Sequence, residues 1–367
     1  MFTISLCMIV RDEEESIGRC LSTVCDLVDE IIIVDTGSTD RTKEIALTYG
    51  AKLFDFTWED DFSAARNYAF AQAKMTYIFW LDADDVLLEA DRQGLAALKA
   101  MDPFDYDSVS MPYQLKVDER GEPVHSLRRN RLVRRTSNFI WHGAVHEFLA
   151  VTGKILHSEI AITHQKLKPY TDQNLQIYLK RKEKGDVFDP RDQFYFANEL
   201  FDHARYEEAA LQYELFLDEG LGWIEDQILA CSKQAECYAY LKQPEKQIQS
   251  LTRALAIDLP RAEICCRMGA FFEEKLDFLK AIYWYRQATL LERPQSSMAK
   301  VDESAWTWLP HLQLCYCYDR IGEKRKAKIH HDMAKLYYPT HPSVLYNEAY
   351  FASLKELDAV EQSMELR

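Results

Sequence analysis

The sequence predicts an α/β domain followed by an all-helical repeat domain. In the first ~165 residues, short apolar runs rich in β-branched residues alternate with helical patterns, which is typical of a sheet covered by helices. From about residue 190 onward the apolar residues follow a helical period without interruption. A weak internal repeat runs through that second part, as expected for stacked helix hairpins. These three observations predict two domains of different class.

Length and composition agree with two ordinary globular domains. The chain has 367 residues, 47% of them hydrophobic and 28% charged, so each part is long enough to bury its own core. The net charge of -15 argues against a protein that binds nucleic acid or an anionic membrane through a general basic surface. No apolar run reaches the length of a membrane span.

The cysteines and the N-terminus both favour the cytoplasm. Nine cysteines show neither a disulfide nor a zinc spacing, and most lie in apolar periodic segments, so we expect buried thiols. The apolar run Phe2–Val10 has no basic residues before it and is followed at once by acidic residues, which is unlike a signal peptide. We therefore expect a cytoplasmic protein without a membrane span.

The first domain is predicted to be a parallel sheet with helices between its strands. The apolar runs give four strands: Thr3–Val10, Glu30–Asp35, Lys52–Phe56 and Tyr77–Asp82. Helical patterns occupy the intervals: Ser16–Cys25, Thr39–Tyr49 and Ser63–Ala73. Three further strands are interrupted by charges or glycine: Ser108–Val117, Arg131–Arg135 and Ile155–Thr163. The order of the strands in the sheet does not follow from the sequence.

The second domain contains four copies of a degenerate helix-pair pattern. Each copy has a small or polar residue that serves as an anchor: Ala209, Gln247, Ala281 and Ala327. Four positions after the anchors stand Tyr213, Leu251, Tyr285 and His331, and seven positions after them stand Phe216, Ala254, Ala288 and Ala334. The pattern resembles the tetratricopeptide repeat, although Gln247 replaces the usual alanine and extra residues lie around 293–302. A generic helical solenoid is the alternative.

These patterns set the predicted boundaries. The α/β domain covers residues 1–168, a connecting helix or linker 169–190, the repeats 191–346, and a C-terminal helix or tail 347–367.

An acidic cluster ends the fourth predicted strand. Asp82, Ala83, Asp84 and Asp85 follow the apolar run Ile78–Leu81. Ligands of open α/β sheets bind at this edge, and carboxylates there are suited to Mg²⁺ or Mn²⁺ that holds a diphosphate. By itself an Asp-x-Asp pair is weak evidence, because most such pairs are solvated turns.

Several separated segments together resemble family 2 glycosyltransferases, enzymes of the GT-A fold, a Rossmann-like fold for nucleotide-diphospho-sugars. The matching segments are, in family order, Leu6–Glu13, Ile31–Asp40, Ala64–Asn67 and Asp82–Asp85. The resemblance implies that Val10, Asp12 and Asp35 contact the nucleotide, that Arg66 approaches the diphosphate, that Asp82 and Ala83 contact the donor, and that Asp84 binds the metal.

Structural alternatives stay open for three of these residues. Asp35 and Asp12 could serve only to cap or fix local backbone. Arg66 could form an exposed helix ion pair with Asp60 or Asp61.

A second cluster occupies residues 139–147. Its two histidines and glutamate do not match the His-Glu-x-x-His zinc motif, and the segment resembles the Gly-x-x-His-Glu stretch of repeat-bearing family 2 transferases. An inverting transferase needs a base for the acceptor proton, and Glu147 is the candidate. The alternative is an ion pair of Glu147 with Arg131 or Arg134. Should Glu147 not be the base, Asp85, Asp118 and His146 are the next candidates.

His164 ends the last predicted strand before the helical part. GT-A enzymes often take a metal ligand from this late position, so the resemblance makes His164 a second ligand beside Asp84, for Mn²⁺ or Mg²⁺. A structural histidine is the alternative.

The prediction is therefore an inverting, metal-dependent glycosyltransferase that uses a nucleotide-sugar donor, with UDP as the expected nucleotide. Helical repeats present grooves to extended chains, so a peptide or protein acceptor is expected, with a homodimer contact as the other use of that surface. Two rivals are an inactive transferase-fold scaffold that binds proteins and a nucleotidyltransferase. The intact acidic cluster argues against the first, and the lack of a glycine-rich basic loop after Val10 argues against the second.

Overall fold

The computed structural model describes residues 2–117, 123–168, 171–292 and 301–365. It divides into two compact units. The first comprises residues 1–203 and 296–301, and the second comprises residues 204–295 and 302–367. The extra segment predicted around 293–302 lies outside the described residues from 293 to 300, as do Asp118 and the final two residues of the predicted tail.

The first unit contains a mixed sheet with helices. Its strands are β1 (Ile4–Val10), β2 (Glu30–Asp35), β3 (Lys52–Asp55), β4 (Tyr77–Trp80), β5 (Asp85–Val86), β6 (Ser108–Val117), β7 (Pro123–Arg134), β8 (Trp141–His142), β9 (Phe148–Leu149), β10 (Ile155–His157) and β11 (Ile162–His164). Its helices are α1 (Ile17–Ser22), α2 (Thr42–Thr48), α3 (Phe62–Gln72), α4 (Glu89–Ala100), α5 (Gln173–Glu183) and α6 (Pro190–Asp202).

The sheet order is β3-β2-β1-β4-β7-β6-β11-β5, with β10 also paired to β6. Strands β1 to β4 are mutually parallel, as predicted. The expectation of a wholly parallel sheet is wrong, because β7 runs antiparallel to both β4 and β6. The predicted strand Arg131–Arg135 covers only the end of β7, because the arginines before it resemble a break between strands. Arg131 nevertheless lies fully buried within β7.

Two features of this sheet position the site. Parallel strands β1, β2 and β4 end at the same edge, so the residues that follow Val10, Asp35 and Trp80 emerge side by side. Strand β11 pairs antiparallel with β5, and this register sets His164 opposite Asp85. The predicted single strand Ile155–Thr163 is thus two strands, and the second one continues to His164.

The second unit is helical. It contains α7 (Tyr206–Glu219), α8 (Ile224–Tyr240), α9 (Pro244–Ile257), α10 (Ala262–Glu274), α11 (Phe278–Leu290), α12 (Glu303–Trp306), α13 (Trp308–Arg320), α14 (Lys324–Tyr337) and α15 (Pro342–Glu365). A two-residue strand, β12 (Val301–Asp302), precedes α12. Pairs α8/α9, α10/α11 and α13/α14 pack as hairpins. The repeat pattern is confirmed.

The repeat positions are occupied as their spacing predicted. The anchors Ala209, Ala281 and Ala327 are fully buried, and so are the positions four residues later in each copy, from Tyr213 to His331. Gly269 shows why a small residue is needed: a Cβ there would lie 2.6 Å from the Tyr285 ring, well inside van der Waals contact. The ring therefore packs directly on the α10 backbone.

Helices α5 and α6 belong to the first compact unit. Helix α6 lies almost entirely within the range 191–346 predicted for the repeats, so periodicity alone did not reveal its packing. The boundaries predicted at 168 and 190 remain a prediction. The nine cysteines are free thiols, and all except Cys25 are buried, as expected. Among the described helices, none combines the length and apolar character required for a membrane crossing.

Candidate active site

The acidic residues after β4 form a closed turn. The Asp82 amide donates to Asp85 Oδ2 at 3.0 Å, and the Asp85 amide donates to the Asp82 carbonyl at 3.1 Å. Asp85 is fully buried and Ala83 lies in the core, whereas the Asp84 side chain is partly exposed. The alternation of buried and open positions aims Asp84 outward from a fixed backbone.

A possible metal centre lies at this turn. Ligand atoms of Asp84, Asp85 and His164 lie within 4.8 Å of one another, and His164 Nδ1 is 3.4 Å from a carboxylate oxygen of each aspartate. Although burial lowers it, these two carboxylates raise the pKa of His164 to about 10. Two carboxylate oxygens and one imidazole nitrogen are a donor set that Mn²⁺ accepts. The predicted pair Asp84 and His164 is thus brought together, and Asp85 joins them.

Asp85 is held by a buried arginine that the sequence analysis did not assign to the site. Arg131 Nη1 lies 3.0 Å from Asp85 Oδ2, and neither side chain is exposed. The guanidinium stacks between the Trp80 and Tyr113 rings, 3.8 and 4.4 Å from their centres. Tyr113 also hydrogen-bonds His164 Nδ1 at 3.0 Å. This arrangement fixes one face of the possible metal centre before any ligand binds.

A second arginine joins the acidic turn to the candidate base. Arg66 donates from Nη2 to Asp82 Oδ1 at 2.7 Å and from Nε to Glu147 Oε1 at 2.5 Å. Its guanidinium lies between the rings of Trp80 and Trp141, at 5.0 and 4.9 Å. Burial alone would raise the pKa of Asp82, but the Arg66 and Arg131 charges lower it to about 2.

Neither alternative considered for Arg66 and Glu147 occurs in the described structure. Asp61 caps α3 through the Ala64 amide, and Asp60 pairs with Lys180. The two arginines considered for Glu147 have other partners, since Arg131 binds Asp85 and Arg134 pairs with Asp105 and Asp107. Arg66 and Glu147 bind each other instead.

Of the remaining predicted residues, Asp35 lines a neighbouring cleft at the ends of β2 and β3. The cleft is lined by Asp35, Thr36, Gly37, Lys43, Asp55, Phe56, Thr57 and Trp58. Asp35 Oδ1 accepts from the Gly37 and Ser38 amides at 2.9 Å, while Oδ2 is buried without a hydrogen-bond partner among the described residues. A buried acceptor without a partner is costly, so this oxygen fits a donor group on a ligand. The local capping contacts of Asp35 therefore use Oδ1 and leave Oδ2 available.

Asp12 and Val10 are tied to the loop after β2. Asp12 has a left-handed backbone, with φ of 52°, and its Oδ1 accepts from the Thr39 amide at 2.7 Å. The Val10 side chain is buried, and its carbonyl accepts from the Thr36 amide. These contacts fix the turn after β1 against the loop after β2, and neither Asp12 nor Val10 is among the described residues that line the cleft.

Residues 5–157 match the family described as Glycosyl transferase family 2. A TPR repeat-containing protein of Synechococcus elongatus is 58% identical over 88 residues, 24% of this chain and 22% of that protein. The SPbeta prophage-derived glycosyltransferase SunS of Bacillus subtilis is 28% identical over 212 residues, 54% of this chain and 49% of SunS. The chain thus spans half or less of the length of these relatives.

Solved structures are also similar to part of the chain. Glucosyl-3-phosphoglycerate synthase from Mycobacterium tuberculosis, in complex with Mn²⁺ and UDP-glucose, has 16% identity and a TM-score of 0.35. The match covers 52% of this chain and 81% of that chain.

Proposed function

We propose, from the premise that residues 5–157 form a glycosyl transferase family 2 domain, that the chain is a metal-dependent, inverting glycosyltransferase. It transfers a sugar from a nucleoside diphosphate donor, UDP-sugar being the expected one, to an acceptor. The observation that carries the proposal is the junction at the sheet edge. The Asp82 backbone is bonded to Asp85, which belongs to the candidate metal ligands with Asp84 and His164. The Asp82 side chain binds Arg66, which also binds Glu147.

The donor is held along the edge of the sheet. Asp35 Oδ2 accepts a hydrogen bond from the base or ribose, and Asp12 and Val10, which hold the loop after β2, contact the nucleotide beside it. Arg66 faces the diphosphate beside Asp82 and Ala83, since a planar guanidinium matches phosphate oxygens. Asp84 and His164, with Asp85, hold Mn²⁺ or Mg²⁺, which when bound neutralises charge on the leaving diphosphate.

Glu147 supplies the base. As the acceptor nucleophile forms its bond to the anomeric carbon, the bond from that carbon to the diphosphate oxygen breaks, and Glu147 takes the proton of the nucleophile. Attack from the face opposite the diphosphate inverts the configuration at that carbon. The contact with Arg66 Nε holds the Glu147 carboxylate in position before the acceptor binds.

The helical repeats are proposed to bind the acceptor, a peptide or protein segment. Solenoids of helix hairpins offer extended surfaces to such chains. The same surface could instead join two copies of the chain, and sedimentation of the purified protein distinguishes these uses. A fragment of residues 1–203 that modified the native acceptor as efficiently as the full chain would contradict the recognition role.

The test of the function is direct. The full chain is incubated with a panel of UDP- and GDP-sugars in the presence of Mn²⁺, Mg²⁺ or EDTA, and released nucleoside diphosphate is measured. We expect release from one or a few UDP-sugars that stops in EDTA. The matched control is Asp84→Asn, which keeps the side-chain shape and removes one proposed ligand charge. Equal release by wild type and Asp84→Asn, or full release in EDTA, would contradict the proposal.

A further inference from the structure

The segment that carries Glu147 is held from two sides. We call residues 143–147, between β8 and β9, the acid loop. Helix α3 holds one side: the Phe62 amide donates to the Ala144 carbonyl at 2.9 Å, and Arg66 binds Glu147. On β8, just before the loop, Trp141 exchanges two hydrogen bonds with the Asn67 side chain, at 2.9 and 3.0 Å.

Helix α6 holds the other side through His146. Glu199 Oε1 lies 2.7 Å from His146 Nε2, and the His146 ring stacks on Tyr195 with centres 4.2 Å apart and planes 16° apart. Arg191 donates from Nε and Nη2 to the His146 carbonyl at 3.2 and 3.0 Å. Ring, side-chain nitrogen and backbone of His146 are thus all fixed by α6.

His146 needs this support. Its φ of 51° lies in the left-handed region, which disfavours a residue with a Cβ, and Gly143 in the same loop has φ of 95°. Such a backbone persists only where surrounding contacts hold it. Because Glu147 follows directly, the conformation at His146 decides where the Glu147 carboxylate points.

Glu199 is an unusual residue to keep for packing alone. It is 1% exposed, and burial of a carboxylate is costly unless hydrogen bonds compensate. Its Oε1 accepts from the Asn174 side chain at 3.2 Å in addition to its contact with His146. One of the contacts that hold this buried carboxylate is therefore to the acid loop.

We propose that Glu199 is a positioning residue for Glu147, acting through His146, and that α6 is accordingly a working part of the transferase domain. This inference rests on the proposed function, because it takes Glu147 as the base. It extends that function to a helix beyond the residues 5–157 that match the family.

The test uses the full chain and two variants. Glu199→Met removes both acceptor oxygens and keeps a long side chain. Asp192→Asn is the matched control, since Asp192 lies on the same helix and its buried ion pair with Arg181, at 2.6 Å, does not touch the acid loop. Hydrogen exchange of peptides covering residues 141–149, UDP affinity with Mn²⁺, and UDP release from the active UDP-sugar are measured for each protein.

We expect exchange in the acid loop to rise at least tenfold in Glu199→Met and to stay near the wild-type rate in Asp192→Asn. The turnover number should fall by roughly 10-fold or more, because small misplacements of reacting groups are costly. UDP affinity should stay within about twofold, since α6 acts on the base and not on the donor. A merely structural role would lower affinity and turnover together. Should Glu199→Met fail to fold, His146→Phe removes the same contact and keeps the stacking on Tyr195.

Three outcomes overturn the inference: an acid loop as protected in Glu199→Met as in wild type, a control variant that loosens the loop equally, or a loosened loop with unchanged turnover. A loosened loop in a chain whose wild type uses no nucleotide sugar supports the positioning contact and counts against the proposed function instead.

Discussion

Replacement of Glu147 by glutamine separates a catalytic base from a structural ion pair, because the two roles predict effects of different size. Glu147 is nearly buried, with 12% of its side chain exposed, and accepts from Arg66 Nε at 2.5 Å. Glutamine keeps the shape and one oxygen that can accept from Arg66, but it takes up no proton at neutral pH.

The structural contribution is small by this geometry. A hydrogen bond to a charged group contributes about 1.5–3 kcal/mol, a neutral one about 1, so Glu147→Gln should cost about 1 kcal/mol of stability. Arg66 keeps its second contact, with Asp82 at 2.7 Å. A loss of this size leaves a typical domain folded.

The catalytic contribution is larger. Removal of a general base slows the chemical step by roughly 10²-fold or more, which corresponds to at least about 2.7 kcal/mol in the barrier. Donor binding should be almost unchanged, because the proposed metal ligands and Asp35 are intact. The free energy of unfolding, UDP-sugar affinity and turnover therefore need to be measured on the same preparation, by urea titration, calorimetry and UDP release.

Glu30→Gln is the matched control. Glu30 is also a buried carboxylate in an ion pair, with Lys52 at 2.7 Å, but it begins β2, at the opposite end of that strand from the site. We expect it to lose stability and to keep full turnover. If Glu147→Gln kept near-normal turnover at saturating donor and acceptor, the assignment of the base would be refuted, and Asp85, Asp118 and His146 would be examined next.

Three other predictions follow from the site and the units. Asp84→Ala should abolish UDP release and Mn²⁺-dependent UDP binding without a change in circular dichroism; activity in the variant would contradict the proposed metal centre. A fragment of residues 1–203 should be soluble and bind UDP, whereas residues 1–190 should aggregate because α6 is missing; a folded 1–190 fragment would refute this. Burial lowers the pKa of His330 to about 4 from 6.5, so the unfolded chain binds more protons. Stability should therefore fall by about 2 kcal/mol between pH 6.5 and 4, and His330→Phe should remove that loss in urea titrations.

The apolar strands and the repeat helices could be predicted because each produces a pattern among residues that are close in sequence. Strands β1, β2 and β4 are apolar runs in the sequence because they are buried on both faces. The repeat helices were predicted correctly because small and large residues recur at fixed spacing. The meeting of Asp84 and His164 was also anticipated, through the family resemblance. Their role as ligands remains a prediction.

Long-range pairing supplied what the sequence could not. Arg131 is a charge buried in β7, and its burial is favourable because Asp85 and the rings of Trp80 and Tyr113, all distant in sequence, surround it. The pair Arg66 and Glu147 is separated by 81 residues, so no spacing rule identifies it. Helix α6 has an apolar period like that of the repeat helices, but it belongs to the first unit and contacts the acid loop, which periodicity does not reveal.

The buried ion pair of Arg131 and Asp85 affects which substitutions this sequence can accept during evolution. Loss of Asp84 removes a half-open carboxylate and leaves the fold intact, whereas loss of Asp85 strands a buried guanidinium at a cost of about 3–5 kcal/mol. A lineage that abandoned the chemistry would therefore shed Asp84 by a single neutral step and retain Asp85 with Arg131 for much longer. In descendants of such a lineage, Asp85 would be retained because the fold requires it, and the loss of Asp84 would indicate when catalysis ended.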